Sequence, residues 1–232
     1  MTEKFPQLAV VVPCYNVQDV CADVINRLKP YGCAVIAVDD GSMDQTYSVL
    51  SNLGVIVIQH EVNRGKGHAL RSGFHYMLEQ GRWTHAATID ADGQHDPDEI
   101  PALMKLAADQ QIDLLIGARQ FDRSKMPIKR WIANKISSFL ISKLIRTDIK
   151  DIQSGYRIYS RRFLESIFPE VSSAGFEIET ELLILALRRK AVIREAPIRS
   201  IYSQRANQLS NWKAFHDSVR IAKTILRHYF QK

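Results

Sequence analysis

The first half of the chain alternates short apolar runs with amphipathic stretches. Residues 8–12, 34–38, 55–58, 86–89 and 114–116 are continuous and apolar, the mark of strands buried on both faces. The segments 17–28, 44–53, 67–78 and 98–108 between them space their apolar residues at a helical period. Strands separated by helices predict βαβ units with right-handed crossovers. The expected fold class is therefore α/β, a mostly parallel central sheet flanked by helices. The second half reads differently. It predicts a helix over 127–145, a short strand over 155–160, a helix over 176–189, and strands over 192–195 and 198–202 around Pro197. A last helix over 211–230 gathers Trp212, Phe215, Val219, Ala222, Leu226 and Tyr229 on one face. No Pro/Gly/Ser-rich linker divides the halves, so residues 1–232 read as one domain.

Helix boundaries carry their own signals. Asp96, Pro97 and Glu99 fit an N-cap, N1 and N3, and Ser42-Met43-Asp44-Gln45 fits a capping box. No apolar run is long enough to cross a bilayer. The N-terminus passes straight into a strand-like run without an apolar leader, so cytoplasmic residence is the expectation. Cys14, Cys21 and Cys33 show no C-x-x-C spacing and predict neither zinc site nor disulfide framework.

Charge changes this picture in one place. The net charge is +6, and residues 121–150 carry all of it: Arg123, Lys125, Lys129, Arg130, Lys135, Lys143, Arg146 and Lys150 against Asp122 and Asp148. The same segment holds Trp131, Ile132, Ile136, Phe139, Leu140, Leu144 and Ile145. A basic amphipathic helix suits an anionic membrane surface or a phosphate-bearing amphiphile better than a nucleic-acid backbone. An ordinary surface helix with a solvated polar face has the same pattern.

The candidate chemistry sits where apolar runs end. Thr88-Ile89-Asp90-Ala91-Asp92-Gly93-Gln94 closes the fourth run with two carboxylates one residue apart and an amide two further on. If the segment stays extended, Asp90, Asp92 and Gln94 point to one side. Hard oxygen ligands of this kind suit Mg²⁺ or Mn²⁺ with room left for substrate phosphates. Ligands of open parallel sheets bind beyond the carboxyl ends of the strands. Pro13-Cys14-Tyr15-Asn16 and Asp39-Asp40-Gly41-Ser42 fall there too, and the three segments together outline a nucleotide pocket. Asn63-Arg64-Gly65-Lys66-Gly67 lacks P-loop spacing yet combines glycines, cations and a helix N-terminus, the parts of an anion cradle. A basic turn that only caps a helix is the alternative for Arg64.

These segments, followed in order by Gly117-Ala118-Arg119 and Gln153-Ser154-Gly155-Tyr156-Arg157, give the chain a clear family likeness. It resembles family 2 inverting glycosyltransferases of the GT-A fold, within them the dolichol-phosphate mannose synthase and dolichol-phosphate glucosyltransferase branch. The resemblance implies a nucleoside-diphosphate sugar donor, a polyprenyl phosphate acceptor and Mg²⁺ or Mn²⁺. It assigns donor contacts to Pro13, Tyr15, Asn16, Asp39, Asp40, Lys66 and Ala91, the metal to Asp90, Asp92 and Gln94, and the catalytic charge to Asp92 and Asp90. It puts Arg119, Ser154 and Arg205 near the acceptor phosphate, with Arg157 either supporting them or held in an internal ion pair. Residues 1–120 would be the nucleotide-sugar half and 121–232 the acceptor side, peripheral at the cytoplasmic face of a membrane or served by a membrane-protein partner. Two positions depart from the pattern: Val17 stands where many relatives have an acid, and 205–211 is looser than their acceptor loop.

A phosphate acceptor is already ionised at neutral pH. A sugar hydroxyl would need a general base. Glu177, Glu179 and Glu181 are the candidates, unless they are a solvated first helical turn. A non-catalytic nucleotide-sugar-binding subunit is the reading of another class, and the paired Asp90 and Asp92 speak against it.

Overall fold

The computed structural model describes residues 3–120, 147–199, 201 and 214–230. Among the described residues there are seven strands: β1 (Leu8–Cys14), β2 (Ala34–Asp39), β3 (Ile56–Gln59), β4 (His85–Thr88), β5 (Leu114–Arg119), β6 (Arg157–Ser160) and β7 (Ile193–Ile198). The helices are α1 (Cys21–Leu28), α2 (Thr46–Ser51), α3 (Lys66–Gln80), α4 (Ile100–Asp109), α5 (Arg161–Ile167), α6 (Ile178–Arg188) and α7 (Ala214–Phe230). One sheet takes all strands in the order β3-β2-β1-β4-β6-β5-β7. Every pairing is parallel except the two made by β6, which runs against β4 and β5.

The apolar runs are strands because both faces of the sheet are covered. Along β1, Ala9 and Val11 pack with Phe74 and Met77 of α3 and Leu182 of α6. Val10 and Val12 pack on the other side with Ile25 and Leu28 of α1 and Ile100 and Leu103 of α4. A strand sandwiched this way has no polar face to show.

The topology also decides what meets at the ligand edge. Cys14 pairs with Asp39 and Asp39 with Gln59, so the carboxyl ends of β1, β2 and β3 align. Because β6 is antiparallel, its beginning lies at that edge: Thr88, the last residue of β4, pairs with Arg157, the first of β6. Residues 153–156 are thereby brought beside 89–92.

Several expectations are corrected. Residues 192–195 and 198–202 are not two strands, since β7 runs through Pro197, which pairs with Ala118. An edge strand tolerates the missing N–H. The capping box is absent: Asp44 Oδ1 accepts from Thr46 N at 2.9 Å, and Ser42 Oγ instead accepts from Asn16 N at 3.0 Å. Helix α5 was not expected, although Ser160 caps it by accepting from Phe163 N at 3.2 Å. The helix over 127–145, its basic and aromatic residues, and Arg205 lie outside the described residues.

Candidate active site

The nucleoside side of the site is built by the loops after β1, β2 and β3. Asp39 is fully buried. Its Oδ1 accepts from Ser42 N at 3.2 Å, and its Oδ2 has no hydrogen-bond partner. An unsatisfied buried acceptor costs about 1–3 kcal/mol, so this oxygen marks a place where a ligand donor fits. Asp40 differs in its surroundings. Its Oδ1 accepts from Arg64 N at 3.0 Å and sits 2.6 Å from His60 Nδ1, while its Oδ2 accepts from Gly65 N at 2.7 Å. Both oxygens hold the Arg64–Gly65 turn. His60, which the sequence did not single out, is braced in turn by Ser72 Oγ at 2.9 Å. Asn16 adopts a left-handed φ of 53°, which asparagine tolerates, and its Oδ1 accepts from Met43 N at 2.9 Å. It too shapes the loop around Asp39. Pro13 and Tyr15 are half-buried beside it.

The paired carboxylates follow β4. The chain does not stay extended through them. It turns at Ala91–Asp92, and Asp92 Oδ1 accepts from Gln94 N at 3.0 Å, with Gly93 at φ 75°. Ala91 is buried in the turn, and the Gln94 carbonyl accepts from Ile201 N at 2.9 Å. Asp90 lies 2.6 Å from Lys66 Nζ and 3.6 Å from His95 Nε2. Burial alone would raise its pKa, but the charge of Lys66 and the His95 contact hold it well below the usual carboxylate range. Asp92 moves the other way: burial, then the neighbouring charge of Asp90, push it up. A cation would relieve both effects. Among the described residues no third His, Cys, Asp or Glu completes a protein-only cage. Two carboxylates fit an ion that keeps waters and takes substrate phosphates.

The Lys66 ammonium bridges Asp90 and Glu179, the latter at 2.7 Å. Burial would lower its pKa, yet Asp90 and Glu179 outweigh that and raise it.

The acceptor-side set is likewise engaged within the protein. Arg157 is fully buried and donates to the carbonyls of Ser154 at 2.8 Å, Glu179 at 2.7 Å and Ile152. Ser154 Oγ donates to the Gly117 carbonyl at 2.6 Å. Both are internal ties that shape the loop behind Asp90. The Arg119 guanidinium lies flat on Asp151, with Nε–Oδ2 and Nη2–Oδ1 both 2.8 Å.

Nor are the three glutamates a solvated first turn. Glu177 accepts from Ala174 N and Gly175 N at 3.2 and 3.1 Å. Glu181 is fully buried, accepts from Ser172 N and Ser173 N, and meets Arg227 at 2.7 Å and His228 at 3.2 Å on α7. They fasten residues 172–175, on which the glycine loop rests: a Cβ on Gly67 would lie 2.5 Å from the Ser173 carbonyl oxygen. Burial would raise the Glu181 pKa, but hydrogen bonds from His228, Ser173 and Ser172 lower it from 4.5 to about 2. A depressed folded pKa gives stability that is present above the unfolded value and lost as pH falls towards the folded one. Wild type is therefore expected to lose about 2 kcal/mol relative to Glu181→Gln between pH 5 and pH 3, read from urea midpoints of both proteins. Parallel pH curves would remove Glu181 from that role.

Comparison with known proteins agrees with this architecture. Residues 9–168 match the family described as Glycosyl transferase family 2. The chain is 31% identical over 216 residues to the UDP-N-acetylglucosamine–dolichyl-phosphate N-acetylglucosaminyltransferase of Methanococcus voltae, covering 84% of this chain and 86% of that one. It is 28% identical to the dolichyl-phosphate beta-glucosyltransferase of Saccharomyces cerevisiae, covering 94% of this chain and 73% of that protein. Among solved structures it is similar to glucosyl-3-phosphoglycerate synthase of Mycobacterium tuberculosis in complex with Mn²⁺ and UDP. There the TM-score is 0.73 at 21% identity, over 96% of this chain and 79% of that one. That likeness shows the GT-A-like α/β fold. The chain belongs to glycosyl transferase family 2, and it is a glycosyltransferase.

Proposed function

We propose that this glycosyltransferase moves a hexose from a nucleoside-diphosphate sugar to a polyprenyl phosphate, at the cytoplasmic face of an anionic membrane. The observation that carries the choice of acceptor is the state of the α6 glutamates. Glu177 and Glu181 hold backbone, and Glu179 is ion-paired with Lys66. Each of the three is committed to a structural tie, which disfavours it as the base for a sugar hydroxyl, although Glu177 Oε2 has no hydrogen-bond partner. An acceptor that brings its own ionised oxygen needs no such base. The named relatives that act on dolichyl phosphate support the same choice.

The residues have these roles in the reading. Asp39 Oδ2 accepts from the nucleoside, within the loop that Asn16, Ser42 and Asp40 shape, with Pro13 and Tyr15 beside it. Asp92 and Asp90, with Gln94 in the same turn, hold Mg²⁺ or Mn²⁺, which supplies positive charge to the leaving diphosphate. The acceptor phosphate oxygen attacks the anomeric carbon from the face opposite the diphosphate. One C–O bond forms, the bond to the diphosphate oxygen breaks, and its electron pair leaves with the nucleoside diphosphate. No proton has to move. Arg119, which ends β5 paired with Asp151, and Arg205 are proposed to meet the acceptor phosphate. Among the described residues no helix is long and apolar enough to cross a membrane, so attachment is proposed through the basic segment 121–150 or through a membrane-protein partner.

The test is a panel of labelled UDP- and GDP-sugars offered with Mn²⁺ and polyprenyl phosphate in vesicles containing anionic lipid. Organic-phase product with one donor is expected. Transfer only to a free sugar hydroxyl would overturn the acceptor, and no transfer or donor hydrolysis with any sugar would favour a binding subunit.

A further inference from the structure

The Lys66 ammonium is enclosed more completely than a surface ion pair would be. It touches Asp90 Oδ1 at 2.6 Å and Glu179 Oε1 at 2.7 Å, and lies 5.4 Å from the centre of the Phe176 ring. Gly155 closes the remaining side: a Cβ there would fall 2.5 Å from Asp90 Oδ2 and 2.8 Å from Lys66 Nζ. The Lys66 and Glu179 side chains are only 11% and 4% exposed. Their carboxylate-ammonium-carboxylate row starts on α6 and ends on the first of the two aspartates after β4.

We infer that Lys66 is a built-in counter-ion that occupies Asp90 until a divalent cation arrives with the donor, and that Glu179 is the positioning residue that gives the ammonium its second seat. The inference rests on the reading of Asp90 and Asp92 as the cation site. Two carboxylates one residue apart repel each other, and an ammonium at contact distance offsets that in the empty site. The same ammonium then competes with an incoming cation for Asp90. Glu179 reduces the competition by drawing the ammonium away. Together Asp90, Asp92, Glu179 and Lys66 leave two formal negative charges, the complement of one divalent ion. Without Glu179 only one would remain, and the ammonium would rest wholly on Asp90.

Mn²⁺ titration followed by electron paramagnetic resonance tests this, on the full chain, nucleotide-free and again with UDP or GDP. Glu179→Gln is expected to weaken nucleotide-free Mn²⁺ binding about tenfold. The double variant Lys66→Met/Glu179→Gln removes both buried partners together, which avoids a stranded charge. It has the same net charge at the site as wild type, so net charge alone predicts unchanged binding. The counter-ion role predicts binding at least about fivefold tighter than wild type, because the competitor is gone. Mn²⁺ affinity of the double variant within about twofold of wild type would overturn the inference. Absence of Mn²⁺ binding to wild type even with UDP and GDP would overturn the metal reading itself, and the counter-ion role with it.

Discussion

Asp92→Asn is expected to lower kcat/KM by at least about a thousandfold without lowering the melting temperature. The two halves of that result have separate causes. Asp92 is the member of the pair whose ionised form the fold disfavours, through burial and the adjacent Asp90 charge. Its ionised form therefore costs stability in the empty protein. Asparagine keeps the Oδ1 that accepts from Gln94 N, so the turn after β4 keeps its tie. It removes the charge that a cation and a leaving diphosphate would use. A folded protein, as stable as wild type or more so and nearly inactive, would be the signature of a residue kept for function against stability. Melting curves and steady-state rates on the same preparation decide it. Turnover within tenfold of wild type in the folded variant would sink the assignment of Asp92, and a large drop in melting temperature would make its role structural.

The contrast between Asp92 and other residues of the site shows what the sequence could reveal. Asp39 and Asp90 were legible as edge residues because each ends an apolar run, and a run buried on both faces must end at the edge of a parallel sheet. The periodicity gave no comparable access to β6. Four residues, Arg157–Ser160, carry no parity that distinguishes a parallel from an antiparallel strand. Yet its reversed direction is what carries residues 153–156 to the carboxylates. Pairings such as Asp40 with His60, Arg119 with Asp151 and Lys66 with Glu179 join residues from different segments of the chain. Spacing within one segment does not encode them. A charged residue at a ligand edge reads the same from sequence whether one of its oxygens is left without a partner, as Asp39 Oδ2 is, or both are taken up by backbone, as in Asp40.

Arg157→Met is expected to be the most destabilising of these substitutions, by about 3 kcal/mol or more, or roughly 10 °C in melting temperature. Methionine replaces much of the aliphatic volume, so the cost comes from the polar end. The guanidinium is a planar fork that satisfies the carbonyls of Ser154, Glu179 and Ile152 at once. All three would lose the donor that the fork supplies. Lysine does not rescue the loss, because a single ammonium cannot span three acceptors placed for a fork. The Ser154 and Glu179 carbonyls belong to the two segments that enclose Lys66 and Asp90, so activity should fall with the fold, through kcat as well as KM. An arginine that bound the acceptor would behave otherwise: methionine would leave the melting temperature unchanged and raise the KM for polyprenyl phosphate alone. Thermal denaturation beside an acceptor titration separates the two. A stable variant with a selective acceptor defect would return Arg157 to the phosphate, and would require its side chain to leave the three carbonyls it now holds.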